Sequence, residues 1–225
     1  SGLLRAVFSS GVDSNTRELI VGYEDWPFPI PLVKDSRGWW FDTIAGEDEV
    51  LARRIGRNEL AAIGVLQTYV LAQREYASEP RDGQPAGVFA QKVRSDSGMR
   101  NGLYWPTGPG ERSSPLGAFA AQAASEGYSA GGAAEPRPYH GYIYRILTRQ
   151  GPAAPGGAMD YVVNGAMTGG YAMIAHPAEY MNSGVMTFLV GPDGVVYEAD
   201  LGPDTAAHAA STMMYNPDDR WTPID

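Results

Sequence analysis

Apolar positions along this chain change period twice, and the changes divide it. Up to about residue 42 the pattern is that of strands. Glu18 to Tyr23 is β-prone. Phe28 to Lys34 is apolar but interrupted by Pro29 and Pro31, with Pro27 just before. Proline donates no hydrogen bond, so this stretch predicts an edge strand or an extended ribbon. Asp35-Ser36-Arg37-Gly38 predicts a turn, with Trp39-Trp40-Phe41 as a short strand after it. From 47 to 78 the period becomes helical. Leu51, Ile55, Ala62, Leu66, Tyr69, Gln73 and Tyr76 form one stripe. Glu47, Asp48 and Glu49 stand where a helix start favours acids. Gly56 and the cap-forming Asn58 predict a kink or two abutting helices.

Residues 79 to 112 read as loop, with a short turn near 88–90. Ser114-Pro115 predicts a helix start, with Ser114 as cap and Pro115 as first residue. Leu116, Phe119, Ala120, Ala123 and Ala124 give that helix an apolar face, and Gly127 ends it. A Gly/Ala/Pro linker follows over 129–139. The period then becomes alternating. Strands are expected over 142–148, 171–175, 185–190 and 195–199, with Gly191-Pro192-Asp193-Gly194 turning a hairpin between the last two. A short helix over 203–212 closes the chain. The fold class expected is α+β, a long helix packed on an antiparallel β-meander, preceded by a Pro/Trp-rich β-ribbon. We read 1–225 as a single domain, with 1–42 as the ribbon segment and 43–225 as helix plus sheet.

Charge narrows the partners. The chain has 225 residues, 17 basic and 26 acidic, for a net charge of −9. Nucleic acid and anionic membranes are disfavoured, because both need clustered cations. The net negative charge concentrates from residue 151 onward, because bases are scarce there: Arg220 stands alone against nine acids. With no cysteine, disulfides, thiolate metal sites and a Cys nucleophile are excluded. No apolar run reaches the roughly 18 residues of a membrane span. The opening Ser1-Gly2-Leu3 carries neither Met nor a signal peptide, which reads as a mature or truncated product.

Candidate chemistry is sparse. Gly127-Tyr128-Ser129-Ala130-Gly131 matches the nucleophile-elbow spacing, but its setting, a helix before and a linker after, inverts the strand-to-helix turn that motif needs. His140, His176 and His208 lack metal-ligand spacing from one another. Asp193, Asp200 and Asp204 are weak Ca²⁺ candidates, with turn and helix capping as the competing role. Arg53, Arg54 and Arg57 read as a solvated helix face. Trp26, Trp39, Trp105, Tyr139 and Trp221 are the candidate interaction residues. Flat rings stack on sugars or anchor protein contacts.

The longer motifs resemble a bacterial family known as domain of unknown function 2950. The likeness is carried by Trp26-Pro27-Phe28-Pro29-Ile30-Pro31-Leu32-Val33, Arg53-Arg54-Ile55-Gly56-Arg57-Asn58-Glu59-Leu60, Gly102-Leu103-Tyr104-Trp105-Pro106, Ser114-Pro115-Leu116-Gly117, Gly184-Val185-Met186-Thr187-Phe188 and Asp200-Leu201-Gly202-Pro203-Asp204-Thr205. It extends over about 18–221. It implies an exported protein of Gram-negative bacteria, periplasmic or extracellular, with no assigned activity. Asn101 and Met181 stand where the resemblance implies Asp and Gly. The run Asn58-Glu59-Leu60-Ala61-Ala62-Ile63, with the later strands, is also similar to the globular heads of type IV pilin-like proteins, without their apolar N-terminal spine. Together these imply a non-catalytic structural or interaction protein, an accessory subunit with a protein partner in the cell envelope. The alternatives are an envelope hydrolase or sugar-processing enzyme using a carboxylate pair or His140 with a nearby acid, or a carbohydrate-binding protein. No cofactor is expected.

Overall fold

The computed structural model describes residues 6–10, 14–126 and 137–224. Residues up to Arg57 and residues from Asn58 onward form two compact units.

The first unit is an antiparallel sheet of β1 (Ala6–Ser10), β2 (Thr16–Val21), β3 (Trp26–Pro27), β4 (Leu32–Asp35) and β5 (Gly38–Phe41). The order is β1-β2-β4-β5, with β3 paired to β2 beyond the end of β4. The prolines fall where the ladder tolerates them. Pro27 ends a two-residue strand, and Pro29 and Pro31 lie in the link before β4. The β4–β5 hairpin turns through Ser36-Arg37. The Asp35 carboxylate accepts the Arg37 backbone N–H at 2.7 Å and its guanidinium at 2.8 and 3.1 Å. Those bonds hold Asp35 below the usual carboxylate range. Helix α1 (Thr43–Ala77) starts directly after β5. Its cap is Asp42, whose Oδ1 accepts the Ala45 N–H at 3.2 Å. Glu47, Asp48 and Glu49 lie past its first turn, so the acids mark the start less sharply than expected.

The second unit holds the hydrophobic core. It contains the rest of α1, then α2 (Gly117–Ser125), β6 (Tyr142–Leu147), β7 (Arg149–Gln150), β8 (Met159–Asp160), β9 (Val162–Val163), β10 (Ala166–Met167), β11 (Ala172–Pro177), β12 (Met186–Val190), β13 (Val196–Asp200), α3 (Thr205–Ser211) and β14 (Thr222–Pro223). The main sheet runs β6-β11-β12-β13-β14, antiparallel throughout. That is the expected meander with one strand added. The pairs β7–β8 and β9–β10 fill the long connection from β6 to β11. Met173 pairs with Ile146 on one side and Val190 on the other. Nearly every residue of β11 and β12 is buried, so both faces of these central strands are covered.

The helix stripe is as expected. Ala62, Leu66, Tyr69, Gln73 and Tyr76 are buried in the common core, while Leu51 and Ile55 are half-buried. Two local expectations are corrected. α1 runs through Gly56 and Asn58 as one helix rather than two abutting ones, and Asn58 is not a cap. Its amide donates instead to the Ser183 carbonyl at 2.8 Å. Beside it, Glu59 Oε1 accepts the N–H groups of Val185 and Met186 at 2.9 and 3.0 Å, where β12 begins. The second correction concerns α2. Ser114-Pro115 forms a turn closed by Gly117 N–H to the Ser114 carbonyl at 2.7 Å, and the helix starts at Gly117. The Ser114 hydroxyl is buried without a hydrogen-bond partner among the described residues.

A buried amide does the work of a strand at the loop over 88–90. Gln73 Nε2 donates to the Ala90 carbonyl at 2.8 Å, and Gln73 Oε1 accepts the Ala90 N–H at 2.9 Å. Gln73 also donates to the Tyr69 hydroxyl at 3.1 Å, and Tyr69 donates to the Ala172 carbonyl at 3.2 Å. Burial pushes the Tyr69 phenol far up.

Candidate interaction surface

The first unit does not bury its large side chains. Among its described residues no hydrophobic side chain is buried, whereas the core of the second unit begins at Ala62. Cross-strand partners share a face of a sheet, so the pairing shows which rings lie together. Phe8 faces Leu19, Trp26 faces Val21, Leu32 stands between Arg17 and Phe41, and Lys34 faces Trp39. Phe28 joins this face through its rings. Its centroid lies 6.0 Å from Trp26 and 5.6 Å from Phe41, both edge-on. One face thus carries an aromatic row of Trp26, Phe28, Phe41 and Trp39. Trp26 is 49%, Phe41 42% and Trp39 40% exposed. Val33 and Trp40 belong to the opposite face.

Cations stand at both ends of this row. The Arg53 guanidinium lies 5.7 Å from the Trp26 ring centroid, donates to the Pro27 carbonyl at 2.5 Å and pairs with Glu49 at 2.7 Å. At the other end, Arg17 and Lys34 lie 5.0 and 5.9 Å from the Trp39 centroid. Neither of these two has a carboxylate partner among the described residues. Half-exposed aromatics with flanking Arg are the composition of interface centres rather than of solvated surface.

The other interaction candidates fall elsewhere. Trp105 is 7% and Trp221 9% exposed, so both are packing residues of the core. Arg81 and Arg100 lie over the Trp105 ring at 5.2 and 5.7 Å. Trp221 lines a groove of about 620 Å³ with Leu189, Leu201, Met213, Asp200 and His208. Tyr139 is half-buried. Its ring packs edge-on against Phe119 at 5.2 Å, and its hydroxyl lies 3.4 Å from Glu126 Oε2. His140 Nε2 lies 3.1 Å from the same Glu126 oxygen, so the acid expected beside His140 is present. The pair lines none of the cavities around Trp105 and Trp221. Ser129 lies outside the described residues.

The three aspartates stay apart in role. Asp193 accepts the Tyr215 hydroxyl at 3.2 Å and the Val195 N–H at 3.2 Å. Asp200 accepts the Gly202 N–H at 2.8 Å and the Tyr180 hydroxyl at 3.2 Å. Asp204 precedes α3 without a side-chain capping bond. Among the described residues no three His, Cys, Asp or Glu side chains are grouped to hold a metal ion. Sequence reasoning missed Phe28, Phe41, Arg17 and Lys34 as site residues. The signal for two of them was there. A two-residue turn at Ser36-Arg37 sets Lys34 opposite Trp39, and alternation puts Phe41 on the same face.

Fold and surface together define an α+β protein with a core built on a long helix and a meander, and an uncovered aromatic sheet face. The chain belongs to the family described as Protein of unknown function (DUF2950), whose model matches residues 7–224. No curated protein matches the chain. No solved structure matches it either. No described helix is long and apolar enough to cross a membrane.

Proposed function

We propose that this chain is a non-catalytic interaction protein of the cell envelope, an accessory subunit that binds a protein partner through the aromatic face of its N-terminal sheet. The observation that carries the reading is the uncovered row of Trp26, Phe28, Phe41 and Trp39. Water contact on such area costs about 25 cal/mol per Å², and a partner that covers it recovers that free energy. Envelope location is proposed from the family resemblance. The test is native mass spectrometry of the protein isolated from its host's envelope fraction, with Trp26→Ala and Trp39→Ala variants alongside. We expect a defined heteromeric mass that both variants lose, since anchor truncation typically costs about 2 kcal/mol or more, roughly 30-fold in affinity. An unchanged complex in both variants, or a bare monomer throughout, refutes it. The His140–Glu126 contact favours a hydrolase as the second reading. Ester and glycan hydrolysis abolished by His140→Gln would establish that one instead.

A further inference from the structure

The aromatic row ends on an open strand. Among the described residues β5 is the last strand of its sheet and pairs with β4 alone. The Asp35–Gly38 pair closes a two-residue hairpin, so its members exchange hydrogen bonds, as do Val33 and Trp40 two positions on. Asp42 N–H donating to the Pro31 carbonyl at 2.9 Å continues the same alternation. Trp39 and Phe41 are therefore the non-bonded pairs. Their backbone N–H and C=O groups point away from β4, toward the free edge. The same two residues put half-exposed rings on the aromatic face. Main-chain donors and acceptors thus lie beside two side-chain contact sites, spaced one strand repeat apart.

Natural edges of this kind are usually blunted by inward charges, proline or a covering element. Here the prolines sit before β4; of the charges around the edge, Arg37 is paired with Asp35 and Asp42 caps α1, while Arg17 and Lys34 have no carboxylate partner among the described residues. We propose that the free edge of β5 takes up an extended, acidic segment of a partner protein as an added strand. Alternate apolar side chains of that segment cover Trp39 and Phe41, and a carboxylate meets Arg17 and Lys34. Main-chain bonds supply affinity in such strand addition, and side-chain pockets supply specificity. The net charge of −9 repels an acidic segment at long range. Salt screens that repulsion beyond about 8 Å at physiological ionic strength, while the two cations act at contact.

The proposal rests on the aromatic face being a protein-binding surface, and the experiment separates the two. The full chain is titrated with fluorescein-labelled, N-acetylated Thr-Val-Glu-Val-Glu-Val-Thr, with its Lys-for-Glu counterpart, and with a version carrying a central proline. Amide exchange at Trp39 and Phe41 is followed by NMR. We expect the acidic peptide to bind, to slow exchange at these two amides at least tenfold, and to bind at least tenfold more tightly than the other two peptides. Arg17→Glu with Lys34→Glu, both at exposed positions, should reverse the charge preference. Equal binding of the acidic and basic peptides, or absence of binding, overturns the acidic strand. Slowed exchange at these amides without peptide, together with a dimeric mass, assigns the edge to a second copy and also overturns it. If an envelope complex forms and needs Trp39 while both amides exchange freely within it, the surface reading stands and strand addition falls.

Discussion

Replacing Gln73 with leucine tests whether a side-chain amide holds the loop over 88–90 to the helix. Leucine is close in volume and a good helix former, so the change keeps α1 and the apolar stripe. It removes both bonds to Ala90, a residue only 1% exposed. Each buried backbone group left unpaired costs about 1–3 kcal/mol. The apolar side chain recovers on the order of 1 kcal/mol by its own burial. The net loss worked from these terms is about 3 kcal/mol. For a chain of this size that lowers Tm by roughly 6–12 °C. The assay is urea unfolding followed by tryptophan fluorescence, with amide exchange read at Phe89 and Ala90. Tyr69→Phe is the comparison. It loses the bond to the Ala172 carbonyl and should cost about 1 kcal/mol. Because Gln73 also donates to Tyr69, the double variant should fall short of the sum. A Gln73→Leu chain within 0.5 kcal/mol of the parent, with unchanged exchange at Ala90, would show that the amide pair contributes nothing.

Three further outcomes follow from the geometry. Glu59→Ala strips the acceptor from two N–H groups at the start of β12 and should cost about 3 kcal/mol in chemical denaturation, with Glu59→Gln costing less. Met181 holds a φ of 60° at an exposed turn, a conformation that costs an L-residue about 1–2 kcal/mol. Met181→Gly should gain about 0.5–1 kcal/mol after the added chain entropy of glycine, and a lower Tm would contradict the strain. His176 is held below its ordinary value of 6.5 by burial, with Arg145 acting in the same direction and its bond to the Pro177 carbonyl opposing. The unfolded chain then binds the proton more readily. The contribution of His176 to stability is full above pH 6.5 and is lost as pH falls toward the lowered native value. His176→Gln should flatten stability between pH 7 and 5, and an unchanged slope would exclude this residue as the cause.

What local pattern encodes was legible. The helix stripe, the Gly191–Gly194 hairpin turn and the strand order of the meander depend on period and turn chemistry, and all three are present. Met181 carries a similar lesson. The resemblance implied glycine there, and the backbone has the left-handed angle that glycine suits. Asn101, where the resemblance implied Asp, bonds both the backbone and the carboxylate of Asp96. A second carboxylate could not donate there. The misreadings have a different origin. Asn58 looked like a cap because caps are local, but its partner lies 125 residues away. Ser114-Pro115 has the composition of a helix start, yet Ser114 closes a turn by accepting the Gly117 N–H at 2.7 Å, and Leu116 N–H is taken by the distant Leu103 carbonyl at 3.0 Å. Trp105 and Trp221 sit in loops by sequence and in the core by packing. Of the surface, Trp26 and Trp39 were named from the sequence; Phe28, Phe41, Arg17 and Lys34 were not, because setting them beside those rings requires the register of the strands.

The bonds from Asn58, Glu59 and Tyr69 to the sheet also set a timetable. They span between 103 and 127 residues. At about 5–20 residues per second, a ribosome completes the helix roughly 5–22 s before it reaches the start of β12. The helix therefore emerges early and waits with Leu66, Tyr69 and Tyr76 uncovered, while the meander can pair strand by strand as it appears. The birth of this protein is governed by that delay. A chain stalled or cleaved before β12 presents an apolar helix with only part of its sheet to close on, and is the form that a holding chaperone or a protease would meet.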